Sequence, residues 1–237
     1  MIPFPNKKYS VIYADPPWSY QDKRCNGNAA DHYPTMSIED ICSLPVPDLA
    51  ADNCVLFLWA TYPMLKEALK VIEAWGFKYK SIGFQWVKQN RSGNGYFFGL
   101  GRWTRGNTEP CLIAVKGKPK RADNSVSQLI FAPLRARSQK PDITRDKIRK
   151  LMGGNHSYIE LFARNTTPGW DSWGNEVNKY DDEKCGRSIA NALNDPVAEI
   201  KKALEVSYDP VAEIKKALEE SFEEFKRSSL RSINHAK

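Results

Sequence analysis

Histidine and cysteine are scarce in this chain, and neither is spaced to hold a metal. The 237 residues include three histidines, far apart, and five cysteines: Cys25, Cys42, Cys54, Cys111 and Cys185. No Cys-x-x-Cys pair occurs, which argues against a zinc site, and an odd, scattered set argues against a disulfide framework. A reducing cytoplasm is the expected setting. Long apolar runs are also missing. None approaches the roughly 20 residues of a membrane-spanning helix, and Met1 to Lys8 has no apolar stretch suited to a secretory signal. No Gly-x-Gly-x-x-Gly fingerprint is present, which disfavours a nicotinamide enzyme, and a P-loop ATPase is disfavoured with it.

What the chain does have is positive charge, unevenly placed. The formal net charge is +7 and the hydrophobic content 41%, as in soluble globular proteins. From Asp195 onward there are eight Lys/Arg and nine Asp/Glu; the rest carries 27 basic and 19 acidic residues. The excess therefore lies upstream of Asp195, mainly in Lys116–Arg121 (including Lys118, Lys120 and Arg121) and Arg135–Lys150. A basic face there suits a phosphate backbone, and solvated surface lysines are the plainer explanation.

The most informative segment is Asp15-Pro16-Pro17-Trp18. It follows Tyr9–Ala14, an apolar run that reads as a short buried strand. Two prolines cannot continue a ladder because they lack N–H groups, so the chain must leave the sheet rigidly at the strand's carboxyl end. Open α/β sheets bind ligands at that edge. A fixed carboxylate, exposed carbonyls and a flat ring within four residues suit methylation of a planar exocyclic amine. Such an amine is a poor nucleophile because its lone pair is delocalised into the ring. Asp15 accepting one N–H and the Pro16 carbonyl accepting the other would favour the pyramidal nitrogen of the transition state. Pro17 would fix the turn and Trp18 would stack on the base, as in enzymes that act on extruded bases.

Elsewhere, Met36–Leu44 reads as a short helix capped by Ser37 with Asp40 three residues on. Cys54–Ala60, Tyr79–Lys88, Glu109–Lys116 and Tyr158–Ala163 read as strands, and Trp170–Val177 follows a Pro-Gly turn. Pro63–Trp75 is an amphipathic helix with Leu65, Leu69, Ile72 and Trp75 on one side, ended by Gly76. Asp142–Met152 is a second helix. The segments 19–31 and 90–107 read as loops. Strands alternating with helices at this spacing predict a parallel, doubly wound α/β sheet.

The tail holds an internal duplication. Asp195–Glu205 and Asp209–Glu219 share Asp-Pro-Val-Ala-Glu-Ile-Lys-Lys-Ala-Leu-Glu, each with an N-cap Asp and a Pro suited to the first helical turn. The expected organisation is a catalytic domain over 1–180, a linker over 181–194 and a helical tail over 195–237. The tail would serve homo-oligomerisation or partner docking, or would simply pad the C-terminus.

With these residues in view, the chain resembles the adenine-N6 methyltransferases that carry the Asp-Pro-Pro-Trp motif, the family of the messenger-RNA adenosine methylase's catalytic subunit and its bacterial and phage relatives. The resemblance runs from about Lys8 to Val177. It includes His32–Ser37, Leu56–Trp59, Trp86–Lys88, Glu109–Leu112, Ser138–Pro141, Ile159–Arg164 and Trp173–Glu176. It implies a class I, Rossmann-like fold in permuted order, with the catalytic strand preceding the strand that binds S-adenosylmethionine. It implies no metal. Lys140 matches a residue that holds the methionyl carboxylate. Glu160, Leu161, Phe162, Arg164 and Asn165 match the cradle of the cofactor's ribose and methionine part, with Asp15 serving donor and acceptor alike. Asn175 and Glu176 match an Asn-Gln pair that contacts ribose and adenine; Glu in place of Gln cannot donate. Tyr33, Lys88 and Glu109 match positions near the substrate. Arg102, Trp103 and Arg105, in a Gly-rich aromatic loop, suit phosphate contact and stacking.

The resemblance implies transfer of a methyl group to adenine N6 in nucleic acid. The sparse extent beyond the catalytic domain, without zinc fingers or a long N-terminal region, tilts the expectation towards DNA. RNA, a non-catalytic nucleic-acid-binding subunit and a small-molecule methylase are the alternatives.

Overall fold

The computed structural model describes residues 3–19, 35–101, 103–136 and 138–177. Tyr33, Arg102, Cys25, Cys185 and the duplicated tail lie outside them. Among the described residues, seven strands form one sheet: β1 (Tyr9–Ala14), β2 (Ala50–Trp59), β3 (Lys78–Gln89), β4 (Thr108–Lys116), β5 (Leu129–Pro133), β6 (Tyr158–Leu161) and β7 (Asp171–Trp173). Four α-helices accompany them: α1 (Ile38–Ser43), α2 (Val46–Leu49), α3 (Leu65–Ala74) and α4 (Ile143–Met152). The spatial order is β5-β3-β4-β2-β1-β6-β7. This is the Rossmann-like α/β fold of class I methyltransferases, with β1 ahead of its neighbour β6 in the chain.

The sheet is not wholly parallel. β1 pairs in parallel with β2 and β6, β6 with β7, and β3 with β5; β4 runs antiparallel to both β2 and β3. Apolar content marks β4 as a buried strand but says nothing of its direction. β5 was not expected at all. Its five residues alternate in exposure at the sheet's edge and end in a proline, so they give too short a pattern to read.

Both faces of the central strands are covered, so these strands are apolar almost continuously. The period of two sorts their side chains. Ile12, Ala14, Leu56 and Leu58 pack with Ile41, Val46, Leu49, Ala68, Val71, Ile72 and Trp75. Val11, Tyr13, Val55, Phe57 and Trp59 pack on the other side with Ile148, Met152, Tyr158 and Trp170. In α3 the buried stripe is Ala68, Val71 and Ile72, continued by Trp75. It is rotated from the expected one, and Leu65 is 37% exposed. Ala68 lets the helix approach the sheet, and the buried Trp75 indole donates to the Ile41 carbonyl at 2.9 Å. The α1 cap is as expected: Ser37 Oγ accepts the Asp40 N–H at 3.0 Å.

Connections leave the sheet's centre in opposite directions. From β1 the chain returns at β2 on one side; from β6 it proceeds to β7 on the other. The crevice at the carboxyl ends of β1 and β6 is therefore a topological switch point, where open α/β sheets take their ligands.

Candidate active site

Asp15 is the first residue beyond β1, directly at that crevice. The turn after it is short. Trp18 N–H donates to the Pro16 carbonyl at 2.9 Å, and Met36 N–H donates to the Pro17 carbonyl at 3.0 Å. The Pro16 oxygen keeps a second lone pair for another donor.

Three further chain segments deliver charge to the same rim. Because β4 runs against its neighbours, its first residues lie at the carboxyl edge of the others, and this brings Glu109 there. Lys88 sits near the end of β3. Lys140 arrives from the loop between β5 and α4. Lys140 Nζ lies 2.8 Å from Asp15 Oδ2 and 3.1 Å from Glu109 Oε1, and Lys88 Nζ lies 2.8 Å from Glu109 Oε2. The result is an alternating row, Asp15–Lys140–Glu109–Lys88, with every side chain less than a quarter exposed.

Burial pushes the Asp15 carboxyl above its usual range. Lys140 and Arg164 oppose that rise, and the Glu109 charge adds to it. Burial also pushes Glu109 upward, but the Lys140 and Lys88 ammonium groups outweigh it and hold Glu109 below the usual carboxylate range. For Lys140, burial favours the neutral amine, yet Asp15 and Glu109 outweigh it and keep the ammonium form well above its ordinary value. The row thus holds Glu109 firmly ionised and Lys140 firmly protonated, while Asp15 is its most basic carboxylate relative to an exposed side chain.

Aromatic groups form the wall behind this row. Lys140 Nζ lies 5.6 Å from the Trp59 ring centre, a cation–π contact. Trp59 ends β2, and its indole donates to the Tyr13 hydroxyl at 2.6 Å. Trp18 donates its indole N–H to the Trp59 carbonyl at 3.1 Å and is 7% exposed, packed into the core on the α1–α3 side. It was expected as a stacking wall; in the structure the ring is buried and clamps the Pro16-Pro17 turn onto the end of β2.

The β6 and β7 ends form the other half of the crevice. Leu161 is core, and Phe162, just past β6, turns the backbone with φ of 60°. Its ring packs edge-on against Trp173 at 5.6 Å. Ala163 N–H donates to the Trp173 carbonyl at 3.0 Å. Gly174 lies so close that an added Cβ would meet the Ala163 carbonyl at 2.6 Å. Asn175 and Glu176 follow, and Arg164 Nε reaches Glu176 Oε2 at 3.4 Å.

Glu160 is engaged elsewhere. Arg145 grips it bidentately at 2.6 and 2.8 Å, donates to Asp142 at 2.9 Å and lies 5.8 Å from the Tyr13 ring centre. Asn165 Oδ1 accepts from Arg145 at 3.5 Å. Glu160 and Asn165 thus belong to a buried network beneath the crevice.

Of the expected substrate residues, Lys88 and Glu109 join the row. Trp103 and Arg105 lie in the exposed 90–107 segment beyond β3 and β4. The basic Lys116–Arg121 stretch does not accompany them. It follows the far end of β4, where Lys116 Nζ reaches the Ala50 carbonyl at the start of β2 (3.4 Å) and Lys118 N–H donates to Asn53 (2.7 Å). That is the opposite edge of the sheet from Asp15. In the second basic stretch, Arg135 pairs with Asp142, Lys150 with Asp123, and Lys147 donates to the Ser127 carbonyl.

Arg145, Tyr13 and Trp59 were not anticipated as site residues. Arg145 carried a legible signal: it falls on the α4 stripe with Ile148 and Met152, and a cation on a buried stripe requires a buried anion. Among the described residues no group of His, Cys, Asp and Glu could hold a metal ion, and no helix is long and apolar enough to cross a membrane.

Comparison with known proteins identifies the family of the chain. The MT-A70 family model matches residues 9–176. The Type II methyltransferase M.MunI of Mycoplasma sp is 37% identical over 194 residues, covering 73% of this chain and 79% of that protein. An N(6)-adenosine-methyltransferase MT-A70-like protein of Arabidopsis thaliana is 32% identical, covering 72% of this chain and 24% of its own length. The human N(6)-adenosine-methyltransferase catalytic subunit METTL3 is 31% identical over 72% of this chain and 28% of itself. The chain thus spans most of the Mycoplasma protein but about a quarter of the two eukaryotic ones.

Proposed function

The chain belongs to the MT-A70 family, and from that premise we propose that it is an S-adenosylmethionine-dependent methyltransferase acting on the N6 amine of adenine in nucleic acid, DNA in preference to RNA. The observation that carries the proposal is Asp15 at the β1/β6 switch point, directly before two prolines and held by Lys140. The preference for DNA is supported by the Type II methyltransferase. It matches at higher identity, and over a far larger share of its length, than the two adenosine methyltransferases compared above.

The residues at the crevice suit the donor. Glu176 offers carboxylate oxygens to ribose hydroxyls, Asn175 offers both a donor and an acceptor, and Asp15 offers negative charge to a sulfonium. When bound, S-adenosylmethionine supplies an electrophilic methyl group. Asp15 accepts one amine N–H and the free lone pair of the Pro16 carbonyl accepts the other, so that the nitrogen lone pair is drawn out of conjugation with the ring. The methyl group would be received by the amine nitrogen, leaving the donor as a neutral thioether. The surplus proton on the methylated nitrogen then passes to water, with Asp15 as the hydrogen-bonded acceptor beside it. Lys140 keeps Asp15 oriented, and Glu109 with Lys88 keeps Lys140 in place. Buried free cysteines, Cys54 and Cys111, accord with a reducing cytoplasm.

The test is incubation with methyl-labelled S-adenosylmethionine and, separately, duplex DNA, single-stranded DNA and RNA, followed by nucleoside mass spectrometry. Label should appear as N6-methyladenine, most strongly in DNA. Asp15→Ala should lower turnover by at least about 100-fold, the scale for losing one group aimed at the reacting atoms, with the fold retained. Near-normal turnover in that variant would remove Asp15 from the mechanism.

A further inference from the structure

β7 is the shortest strand of the sheet, with three residues. It lies at the edge and pairs with β6 alone, Ile159 with Asp171, Glu160 with Ser172 and Leu161 with Trp173. So short a ladder does not hold itself. Yet Asn175 stands two residues beyond its end, and the placement of Asn175 and Glu176 depends on where β7 stops. Support comes from the segment ahead of β1. The Phe4 ring stacks on the Trp173 indole, with centres 4.2 Å apart and planes at 17°. Lys7 Nζ and the Tyr9 hydroxyl both donate to Asp171 Oδ2 at 2.7 Å, and Lys7 Nζ lies 5.2 Å from the Tyr9 ring centre. Asp171 and Trp173 are two apart, so both project from one face of β7. The segment therefore lies along that face, with Phe4 at the carboxyl end of β7 and Tyr9 at its start.

These contacts are unequal. The Lys7–Asp171 pair is about half-exposed, and such pairs hold little. Tyr9 is fully buried, so its hydroxyl needs the Asp171 carboxylate as its acceptor. Trp173 is buried between the face of Phe4 and the edge of Phe162. Its carbonyl accepts the Ala163 N–H at 3.0 Å, and the next residue, Gly174, lies against the Ala163 backbone. Whatever fixes Trp173 therefore fixes two segments at once, Phe162–Arg164 after β6 and Gly174–Glu176 after β7, which Arg164 and Glu176 join at 3.4 Å. Phe4 is only partly buried at the margin of the core, so its loss loosens this corner rather than the sheet.

We propose that Phe4 and Asp171 are positioning residues for the methyl donor: residues 3–8 strap β7 in place, and so keep Asn175 and Glu176 where they meet the donor's nucleoside part. Phe4 acts through Trp173, and Asp171 by accepting the Tyr9 hydroxyl. The inference rests on the reading of the chain as an S-adenosylmethionine-dependent enzyme and adds what orders the binding residues before the donor arrives. Order imposed in advance lowers the ordering cost of binding. Its loss therefore shows as weaker donor affinity, with the chemical step unchanged once donor is saturating.

The experiment uses the full chain. Amide exchange of the free protein, followed by NMR, reports the strap; calorimetry with S-adenosylmethionine reports the site; steady-state kinetics separate KM from kcat. Phe4→Ala should speed exchange of the Ala163 amide and of β7, and weaken donor affinity, each about five- to tenfold, the scale of one aromatic pair. KM for the donor should rise by the same factor, with kcat and the oligonucleotide KM at wild-type values. Phe4→Tyr keeps the stack and should restore all of these. Asp171→Ala should behave like Phe4→Ala, and Asp171→Asn, which still accepts from Tyr9, like the wild type. Exchange in β1 and β2 should stay at the wild-type rate. Wild-type donor affinity in both alanine variants would overturn the proposal, and so would weaker affinity with unchanged exchange at Ala163. A uniform rise in exchange across the sheet would make the two residues general supports of the fold and overturn it as well. If the wild type binds the donor but methylates no nucleic acid, the substrate reading fails, and exchange and calorimetry still decide the strap. If the wild type binds no donor, both readings fall together.

Discussion

Arg145→Ala tests whether the buried network under the crevice carries the fold of the site. The guanidinium and the Glu160 carboxylate are each about nine-tenths buried and joined by two short bonds of 2.6 and 2.8 Å. Removing the cation strands a carboxylate in the core, and breaking such a pair costs about 3–5 kcal/mol. The contact with the Tyr13 ring is lost in the same step and overlaps with that figure. With a urea dependence of about 2 kcal/mol/M, the midpoint should fall by roughly 1.5–2.5 M. The penalty should also depend on pH. Burial already raises the Glu160 carboxyl, with Arg145 opposing the rise. Without Arg145 the carboxyl rises further, so the folded variant takes up a proton that the unfolded chain does not hold until lower pH. Stability therefore returns as pH falls through that window and is lost as pH rises through it. Replacing both residues by methionine should recover most of the loss, because no buried charge remains. Urea denaturation at neutral and mildly acidic pH measures all three effects. A loss below about 1 kcal/mol, or a double variant no better than the single one, would refute the reasoning.

Lys140→Met removes the cation that opposes the upward shift of Asp15, so the acidic limb of the kcat/KM profile should move to higher pH; an unmoved limb would separate Lys140 from the ionisation of Asp15. Asn175→Ala should weaken S-adenosylmethionine binding about fivefold, the worth of roughly one hydrogen bond, and calorimetry showing wild-type affinity would count against that contact. Gly174→Ala drives a Cβ into the Ala163 backbone; a loss of about 1–3 kcal/mol in thermal or urea unfolding is expected, and wild-type stability would show that the β6 and β7 ends can part.

The strands and helices that carry the site were legible to within a few residues because their apolar runs are long and their stops are explicit. Two prolines end β1, and Ser37 caps α1 with Asp40 in place. Strand direction was not legible, since an apolar run reads alike both ways, and β4 turned out antiparallel. That error hid a functional consequence: only an antiparallel β4 brings Glu109, rather than Lys116 and its basic neighbours, to the rim that Asp15 occupies. Lys140 and Asp15 were each singled out, but their direct contact across 125 positions depends on how the β5–α4 loop folds back, which no local pattern encodes. Trp18 was visible as a ring beside a carboxylate. Its burial was not, because that depends on the Trp59 carbonyl as the acceptor for its indole.

The alternation of charge along the rim accounts for how two carboxylates can share a poorly solvated edge. Asp15 and Glu109 would each raise the other's proton affinity if left alone, as like charges in one site do. Lys140 between them turns that mutual repulsion into two attractions, and Lys88 closes the row on the far side. The burden is not shared evenly. Glu109 has an ammonium on each side and falls below its usual range, whereas Asp15 has one and rises. The end of the row that faces the β1/β6 crevice is therefore the end with the greater hydrogen-bond basicity. The proposed mechanism asks for an acceptor of an amine proton at that end, and burial with a single flanking ammonium leaves Asp15 the better acceptor of the two carboxylates.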